Sequence, residues 1–210
     1  MGRDIGPKDK QSRRIGEKLF LKGDRDLSPK SAIVKRAYPP GIHGPKGYSR
    51  KLSDYGKQLM AKQKIKKMYR LRERQFRNYF EVARKMKGDA SHNLLGLLEN
   101  RFDNVVYRLS LADSRDQARQ FVTHAHFLIN GKKVKIPSYQ LKINDKISLR
   151  EKSKNNAIFS LKLKEIAQKT IPDWLAYDGA SQIARVVDKP LTKNLNLAAD
   201  ATLTVEFYSR

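Results

Sequence analysis

The stretch from Arg101 to Arg150 reads RFDNVVYRLSLADSRDQARQFVTHAHFLINGKKVKIPSYQLKINDKISLR, and it decides most of the fold. Phe127–Ile129 is a short apolar run that predicts a strand. It is followed at once by Asn130-Gly131, the strongest short-range hairpin signal in a sequence. The chain is then predicted to return as a second strand over Lys132–Ile136, and a further strand is predicted over Lys146–Arg150. The stretch therefore predicts a small antiparallel sheet.

Two helices are predicted before this sheet. Apolar residues at helical spacing indicate a first helix from Ser91 that ends at Ala112-Asp113. Ser114, with Gln117 three residues later, is the pattern of a capping box at the start of the second helix.

Basic side chains accompany these helices. Arg115 and Arg119 are four residues apart, so they should project from one helix face. Two cations so placed repel each other, and a bound phosphate would reverse that penalty. We therefore predict that these two residues and Arg108 bind a phosphate backbone. Such binding requires no catalytic group.

The composition of the whole chain supports a polyanionic partner. The 210 residues carry a formal net charge of +24, and 39% of them are apolar, which is enough for a core. Such a charge is best tolerated beside a polyanion, for which nucleic acid is the first candidate and an acidic membrane surface the second. Residues 1–90 contain 26 basic and 9 acidic residues, so the N-terminal part is expected to provide the stronger electrostatic attraction for a polyanion.

Several function classes are excluded or disfavoured by what the sequence lacks. There is no cysteine, which excludes disulfides and thiolate metal sites. No nucleophile elbow, phosphate-binding glycine loop or dinucleotide fingerprint occurs, so we expect no enzyme activity, no cofactor and no small-molecule substrate. The N-terminus lacks a secretory signal and no apolar run approaches a membrane span, which predicts a soluble intracellular protein without a membrane partner.

The segment before the central stretch divides into two parts. Residues 1–52 are rich in glycine and proline turns, and we expect an extended, loop-rich arm that a partner orders. Residues 53–100 predict a helical domain, with Ser53 as a cap and a break between two helices near Arg70. Between Lys57 and Arg77 nine basic residues face a single acid, Glu73, which favours phosphate contact over a merely solvated surface.

The C-terminal segment is expected to complete the helical domain. Residues 154–210 should pack back on it through a helix over 158–169 and strands over Ile183–Val187 and Leu203–Phe207. Trp174 should reach the core. The fold class is therefore α+β: a loop-rich arm and a helical domain, with an inserted small α/β module over 101–153.

The histidine and aspartate residues of the central stretch offer alternative sites. His124 and His126 alternate, so a metal pair is conceivable, but no further ligand lies at a suitable spacing and we predict no metal site. Asp103, Asp113 and Asp116 could be acid or base groups. Ion pairs with arginine or helix ends explain them better, because no second residue supplies a reaction. The aromatic residues Tyr69, Phe76, Tyr79 and Phe80 could stack on bases, although their helical spacing favours core packing.

The central stretch resembles the small RNA-binding module named after small-subunit ribosomal protein S4. The matching elements are R-x-D-N-V-V-Y-R-L from Arg101, S-R-x-x-A-R-Q from Ser114, N-G-K-K-V from Asn130, I-P-S-Y from Ile136 and R-E-K-S from Arg150. Several elements agree at fixed spacing, so the resemblance is specific.

The likeness extends over nearly the whole chain. Further family-like segments are GPK at Gly6, RRIGEKLFLKG at Arg13, YPPGIHG at Tyr38, LSDYGKQL at Leu52, AKQKIKKMYRLRERQFRNYF at Ala61, NLLGLLENRFDNVVYRL at Asn93 and VEFYSR at Val205. The chain is therefore identified as a member of the S4 ribosomal protein family of bacterial or organellar type.

The resemblance implies a specific function. Members of the family are structural constituents of the small ribosomal subunit that bind the 5′ domain of its ribosomal RNA early in assembly, at a multi-helix junction. They lie near the messenger-RNA entry channel, touch the neighbouring small-subunit protein S5 and affect decoding accuracy, and some bind messenger RNA to repress their own operon. The expected location is the ribosome of the cytoplasm or of an organelle.

The sequence departs from the family pattern at three places. The four zinc-binding cysteines of many members align with Asp9, Ser12, Asp26 and Ser31, so we predict no zinc. Ala125 stands where glycine is usual and would cost about 1 kcal/mol if the site needs a positive φ. Asn144-Asp145 replaces a common Gly-Asp turn, which asparagine tolerates.

We predict a set of RNA-binding residues from their charge, their spacing and the family resemblance. They are Lys10, Arg13, Arg14, Lys22, Arg36, His43, Arg50, Lys51, Lys62, Lys66, Arg70, Arg74, Arg77, Arg101, Arg108, Ser114, Arg115, Arg119, His124, His126, Asn130, Lys132 and Lys133.

Two rival functions use the same module. An RNA-modifying enzyme such as a pseudouridine synthase would need a catalytic domain, and the 57 residues after Ser153 are too few for one. A free-standing RNA chaperone or ribosome-associated factor would usually be a shorter chain. The family-like arm and the VEFYSR end argue against it.

Overall fold

A computed structural model describes residues 4–46, 51–166, 169–190 and 197–209. The elements in chain order are α1 (Lys8–Ile15), α2 (Asp24–Leu27), α3 (Ala32–Lys35), a 3₁₀ turn (Gly44–Lys46), α4 (Asp54–Met68), α5 (Glu73–Lys85), α6 (Ala90–Glu99), α7 (Phe102–Arg108), α8 (Arg115–Thr123), β1 (Phe127–Ile129), β2 (Lys132–Lys133), β3 (Lys146–Leu149), α9 (Glu151–Lys154), α10 (Ala157–Ile166), β4 (Leu175–Asp178), β5 (Ile183–Val186) and α11 (Ala198–Tyr208). The chain forms two compact units, 1–95 with 192–210, and 96–191. This mixture of helices with a separate sheet confirms the α+β class.

The first unit is built around the pairing of α4 with α11. Ser53 caps α4 as predicted, because its hydroxyl accepts a hydrogen bond from the Gly56 amide. Arg70 adopts a left-handed conformation with φ of 56°, and this produces the predicted break between α4 and α5. Phe76 and Phe80 of α5 are buried and lie against the Tyr208 ring. Core packing is therefore their role here.

The prediction of a strand over Leu203–Phe207 is wrong. These residues belong to α11, in which Ala201 and Thr204 are fully buried. The alternating, largely apolar pattern of Leu203–Phe207 suggested a strand, but burial of a helical face against α4 outweighs a strand preference that spans only about 1 kcal/mol.

The N-terminal segment differs from the extended arm that its composition predicted. It contains the eight-residue helix α1 and two further helical turns. Ile15, Leu19 and Leu21 are buried and pack with Met60 and Met68 of α4. These few apolar side chains attach the segment to α4.

A carboxylate joins α4, α5 and α11. Glu73 accepts hydrogen bonds from Lys62 at 2.8 Å, Lys66 at 2.7 Å and the Tyr208 hydroxyl at 2.7 Å. Burial alone would raise the pKa of Glu73, but these three donors outweigh it and lower the pKa from 4.5 to about 2. The same carboxylate, together with burial, raises the pKa of Tyr208.

The lowered pKa of Glu73 makes part of the first unit's stability dependent on pH. A carboxylate whose pKa is depressed by folding stabilises the folded state above its ordinary pKa, and that contribution is lost as the pH falls through the folded value. The stability advantage of the wild type over Glu73→Gln should therefore be constant above pH 5 and shrink between 4.5 and about 2. Urea unfolding of both proteins across that range measures the difference, and an advantage that does not change with pH would contradict the assignment.

The second unit contains a five-stranded antiparallel sheet in the order β2-β1-β3-β5-β4. Phe127 pairs with Leu149, and Ile147 pairs with Ala184, so alternate residues of β1, β3 and β5 face one core. The packing of α7 against α8 covers that core. Trp174 is buried in it, as expected.

Several boundaries in this unit differ from prediction. The helix expected from Ser91 to Ala112 is divided, because Arg101 is extended and pairs with Gln140 in an isolated antiparallel bridge. Strand β4 was not predicted. The segment 154–191 was expected on the helical domain, but its buried residues, among them Phe159 and Val186, join the core of the second unit.

Left-handed backbone occurs at the three turns that the sequence analysis singled out. Asn130 and Gly131 have φ of 50° and 78°, as the predicted hairpin turn requires. Asn144 has φ of 74°, and Ala125 has φ of 59°, so the alanine does occupy a site that glycine would fill with less strain.

Candidate nucleic-acid interface

Arg101 lies inside the second unit and not on its surface. Its side chain is 1% exposed and forms two hydrogen bonds with the Asp103 carboxylate, at 3.0 and 2.7 Å. Arg119 reaches the same carboxylate at 3.4 Å. Arg101 therefore has no surface to offer a phosphate, and this corrects its place among the predicted RNA-binding residues.

A second carboxylate organises the neighbouring arginines. Glu99 is buried and accepts two hydrogen bonds from Arg108, at 2.9 and 2.7 Å. Asn104 donates to Glu99 and accepts from Arg115 at 2.9 Å, while the Arg115 guanidinium lies 4.5 Å from the centre of the Tyr107 ring. Arg108, Arg115 and Arg119, which the sequence predicted to bind a phosphate backbone, thus each form hydrogen bonds with acceptors inside the unit.

The basic run of the first unit is also partly internal. Lys62 is buried and lies 4.4 Å from the centre of the Phe207 ring, in addition to its contact with Glu73. Arg70 is buried and donates to Gln11 at 2.9 Å and to the Asp4 carbonyl. Helical spacing could not reveal this, because Glu73, Phe207 and Asp4 approach from other elements.

Two further predicted residues hold the N-terminal segment together. Arg13 donates to the carbonyls of Arg36, Tyr38 and Pro39 at 3.0–3.2 Å. Lys22 forms an ion pair with Asp9 at 2.7 Å. The two side chains tie loops to α1 in the absence of zinc ligands.

A positively charged pocket of about 350 Å³ lies on the first unit, between α1 and α4. Lys10 and Arg14 of α1 are four residues apart and reach it from one helix face, and Lys67 of α4 reaches it from the other side. The uncharged lining residues are Pro7, Gln11, Pro40 and Gly41. We call this site the α1–α4 pocket.

The three cations of the α1–α4 pocket repel one another. Burial lowers the pKa of Lys67, and the nearby charges of Arg14 and Lys66 lower it further, which together outweigh the opposite effect of the Asp4 carboxylate. Within the described ranges, the side chains of Lys10, Arg14 and Lys67 form no hydrogen bond or ion pair. An anion in the pocket would replace this repulsion with attraction, so the α1–α4 pocket is a candidate phosphate site.

Comparisons with known proteins agree with this chemistry. Residues 3–99 match the model described as the ribosomal protein S4/S9 N-terminal domain, and residues 101–147 match the S4 domain. Proteins named small ribosomal subunit protein uS4 are 48% identical in Caldicellulosiruptor saccharolyticus and 49% identical in Desulforamulus reducens and Clostridioides difficile. Each alignment covers 100% of both chains. The chain belongs to the uS4 family. This confirms the resemblance read from the sequence.

The remaining predicted RNA-binding residues of this uS4 family member lie mostly on its surface. Those exposed are Arg36, His43, Lys51, Arg74, Arg77, His124, Asn130, Lys132 and Lys133. His126 is half-buried, and Ser114 caps α8 by accepting from the Gln117 amide. Arg50 lies outside the described residues. The surface set is thus divided between both units.

Lys67 and Arg150 lie beside predicted site residues, although the sequence did not single them out for this uS4 family member. Lys67 stood within the recognised basic run, but its approach to Arg14 depends on how α1 packs. Arg150 is half-buried, and its amide donates to the His126 carbonyl at 2.9 Å. No sequence signal distinguished either residue from other cations.

The described residues of this uS4 family member offer neither a metal-binding cluster nor a membrane-spanning helix. They contain no cluster of three or more histidine, aspartate or glutamate side chains that could hold a metal ion. None of their helices combines the length and the apolar character that a membrane crossing requires.

Proposed function

We propose that the chain is a structural constituent of the small ribosomal subunit that binds ribosomal RNA and has no catalytic activity. The α1–α4 pocket supports this most directly, because three converging cations without internal acceptors suit a phosphate of a folded backbone. The relatives' name, small ribosomal subunit protein uS4, and the full-length alignments support the same assignment.

The target that we propose is a multi-helix junction in the 5′ domain of small-subunit ribosomal RNA, bound early in assembly. Binding there would rest on phosphate contacts and on the shape of the junction more than on base sequence. We further propose a position near the messenger-RNA entry channel, with the small-subunit protein S5 as neighbour, an influence on decoding accuracy and messenger RNA as an additional ligand. The family resemblance supports these finer assignments.

Salt dependence tests the proposal. Each phosphate neutralised by lysine or arginine releases counterions, so affinity for the 5′-domain RNA should fall about 10³–10⁵-fold between 50 and 200 mM salt if about 6–10 phosphates are contacted. Filter binding across that range, with an unrelated structured RNA of equal length as competitor, measures this. A weak salt response, or equal affinity for both RNAs, would refute the function.

The same assay tests the α1–α4 pocket. Arg14→Ala with Lys67→Ala should weaken binding and lower the salt slope by about one per lost phosphate contact. Lys57→Ala is the matched control, since Lys57 lies on α4 but is exposed and already paired with Asp54. If the double variant and the control behave alike while both keep native circular dichroism, the pocket does not bind RNA.

A further inference from the structure

An aromatic column runs from the core of the second unit to its surface. Phe159 is buried, and its ring centre lies 4.8 Å from that of Phe121 and 5.1 Å from that of His126. The His124 ring is parallel to the His126 ring, with an angle of 4° and a centre-to-centre distance of 6.2 Å. His124 is exposed, so the column ends in a ring open to solvent.

The backbone and the neighbouring side chains fix the orientation of His126. Ala125, in its left-handed conformation, donates to the Val122 carbonyl, and the His126 amide donates to the Phe121 carbonyl. The His126 Nδ1 atom lies 3.0 Å from the Ser153 hydroxyl. Because these hydrogen bonds and ring contacts fix the His126 ring, the parallel His124 ring lies beside a rigid aromatic neighbour.

The surroundings favour a base over a phosphate as the ligand of this column. The outermost ring, that of His124, is exposed and parallel to the His126 ring, so a flat π-system can continue the column beyond it. Burial lowers the pKa of His126, and the charges of His124 and Arg150 lower it further. Unpaired RNA bases commonly stack on histidine and other aromatic side chains.

We infer that an unpaired base of the bound RNA stacks on His124 and extends the aromatic column of the second unit. His126 is the positioning residue that holds the His124 ring parallel to itself, and the nearby Arg150 supplies a cation for the adjoining phosphate. This inference rests on the proposed function. It adds a contact with a base to the phosphate contacts that electrostatic attraction alone would provide.

The experiment compares His124→Ala and His124→Phe with the wild type at pH 8, above the usual titration range of histidine. Filter binding to the 5′-domain RNA is repeated across salt concentrations. Loss of one stacked base should weaken the alanine variant about 5- to 150-fold at every salt concentration, with the salt slope unchanged. The phenylalanine variant should bind within about threefold of the wild type, because it keeps a π-surface.

Gln120→Ala is the matched control, because Gln120 is exposed in the last turns of α8, the helix that has His124 as its C-cap. Three outcomes would overturn the inference: an alanine variant that binds like the control, a salt slope lowered by about one, or a phenylalanine variant as weak as alanine. Failure of the wild type itself to prefer the 5′-domain RNA would instead refute the proposed function, so the two failures are distinguishable. Circular dichroism of each variant verifies that the fold is retained.

Discussion

Asp103→Asn is expected to lower the free energy of unfolding of the second unit by about 3–5 kcal/mol, the usual cost of removing one partner from a buried ion pair. The amide keeps the shape of the carboxylate but not its charge. Arg101 and Arg119, which are 1% and 8% exposed at their side chains, would then lose the charge of Asp103 while they stay buried. Urea unfolding followed by the fluorescence of Trp174 measures the effect, because this single tryptophan is buried in the same core.

Glu151→Gln is the control for Asp103→Asn. Glu151 is 85% exposed and pairs with Lys154 at 2.8 Å, and exposed pairs contribute about 0–1 kcal/mol. If the two substitutions cost the same, the buried arginine network does not stabilise the unit. The network also changes how arginine substitutions are interpreted: replacing Arg115 and Arg119 together should now destabilise the unit, whereas the sequence alone suggested an effect on RNA binding only.

Phe80→Ala is expected to destabilise the first unit by about 3–5 kcal/mol, because it leaves a cavity where a fully buried ring had packed. Phe80 is 1% exposed, and its ring centre lies 4.8 Å from that of Tyr208 in α11. The loss should weaken the attachment of α11 as well as the core. Thermal unfolding followed by the helical circular dichroism signal at 222 nm measures the change.

Val82→Ala on the same helix is the control for Phe80→Ala. Val82 is half exposed, so its truncation should change stability by only about 0.5 kcal/mol. A Phe80→Ala protein that unfolds at the temperature of Val82→Ala would show that the α5–α11 contact contributes little.

The elements that the sequence predicted well are those set by local chemistry. Ser53 and Ser114 cap helices because a hydroxyl satisfies an amide two or three residues later. Asn130-Gly131 turns the hairpin because both residues accept positive φ. Each of these signals involves residues close in the chain, so packing elsewhere did not override it.

The errors in the prediction arose where distant contacts decided the outcome. Leu203–Phe207 became helical because α11 buries one face on α4. The N-terminal segment folded because Ile15, Leu19 and Leu21 found apolar partners on α4. In both cases the deciding free energy comes from surface that only the folded chain removes from water.

The sequence by itself determined that this chain is a basic, cysteine-free member of the uS4 family, because charge and motif spacing are properties of the residues alone. Only the tertiary structure decided which cations are available to an anion. Arg101 and Lys62 form ion pairs with carboxylates, whereas Lys10, Arg14 and Lys67 meet in a pocket that no carboxylate lines. The reason is that electrostatic attraction depends on distance and burial, and both are set by how the elements pack.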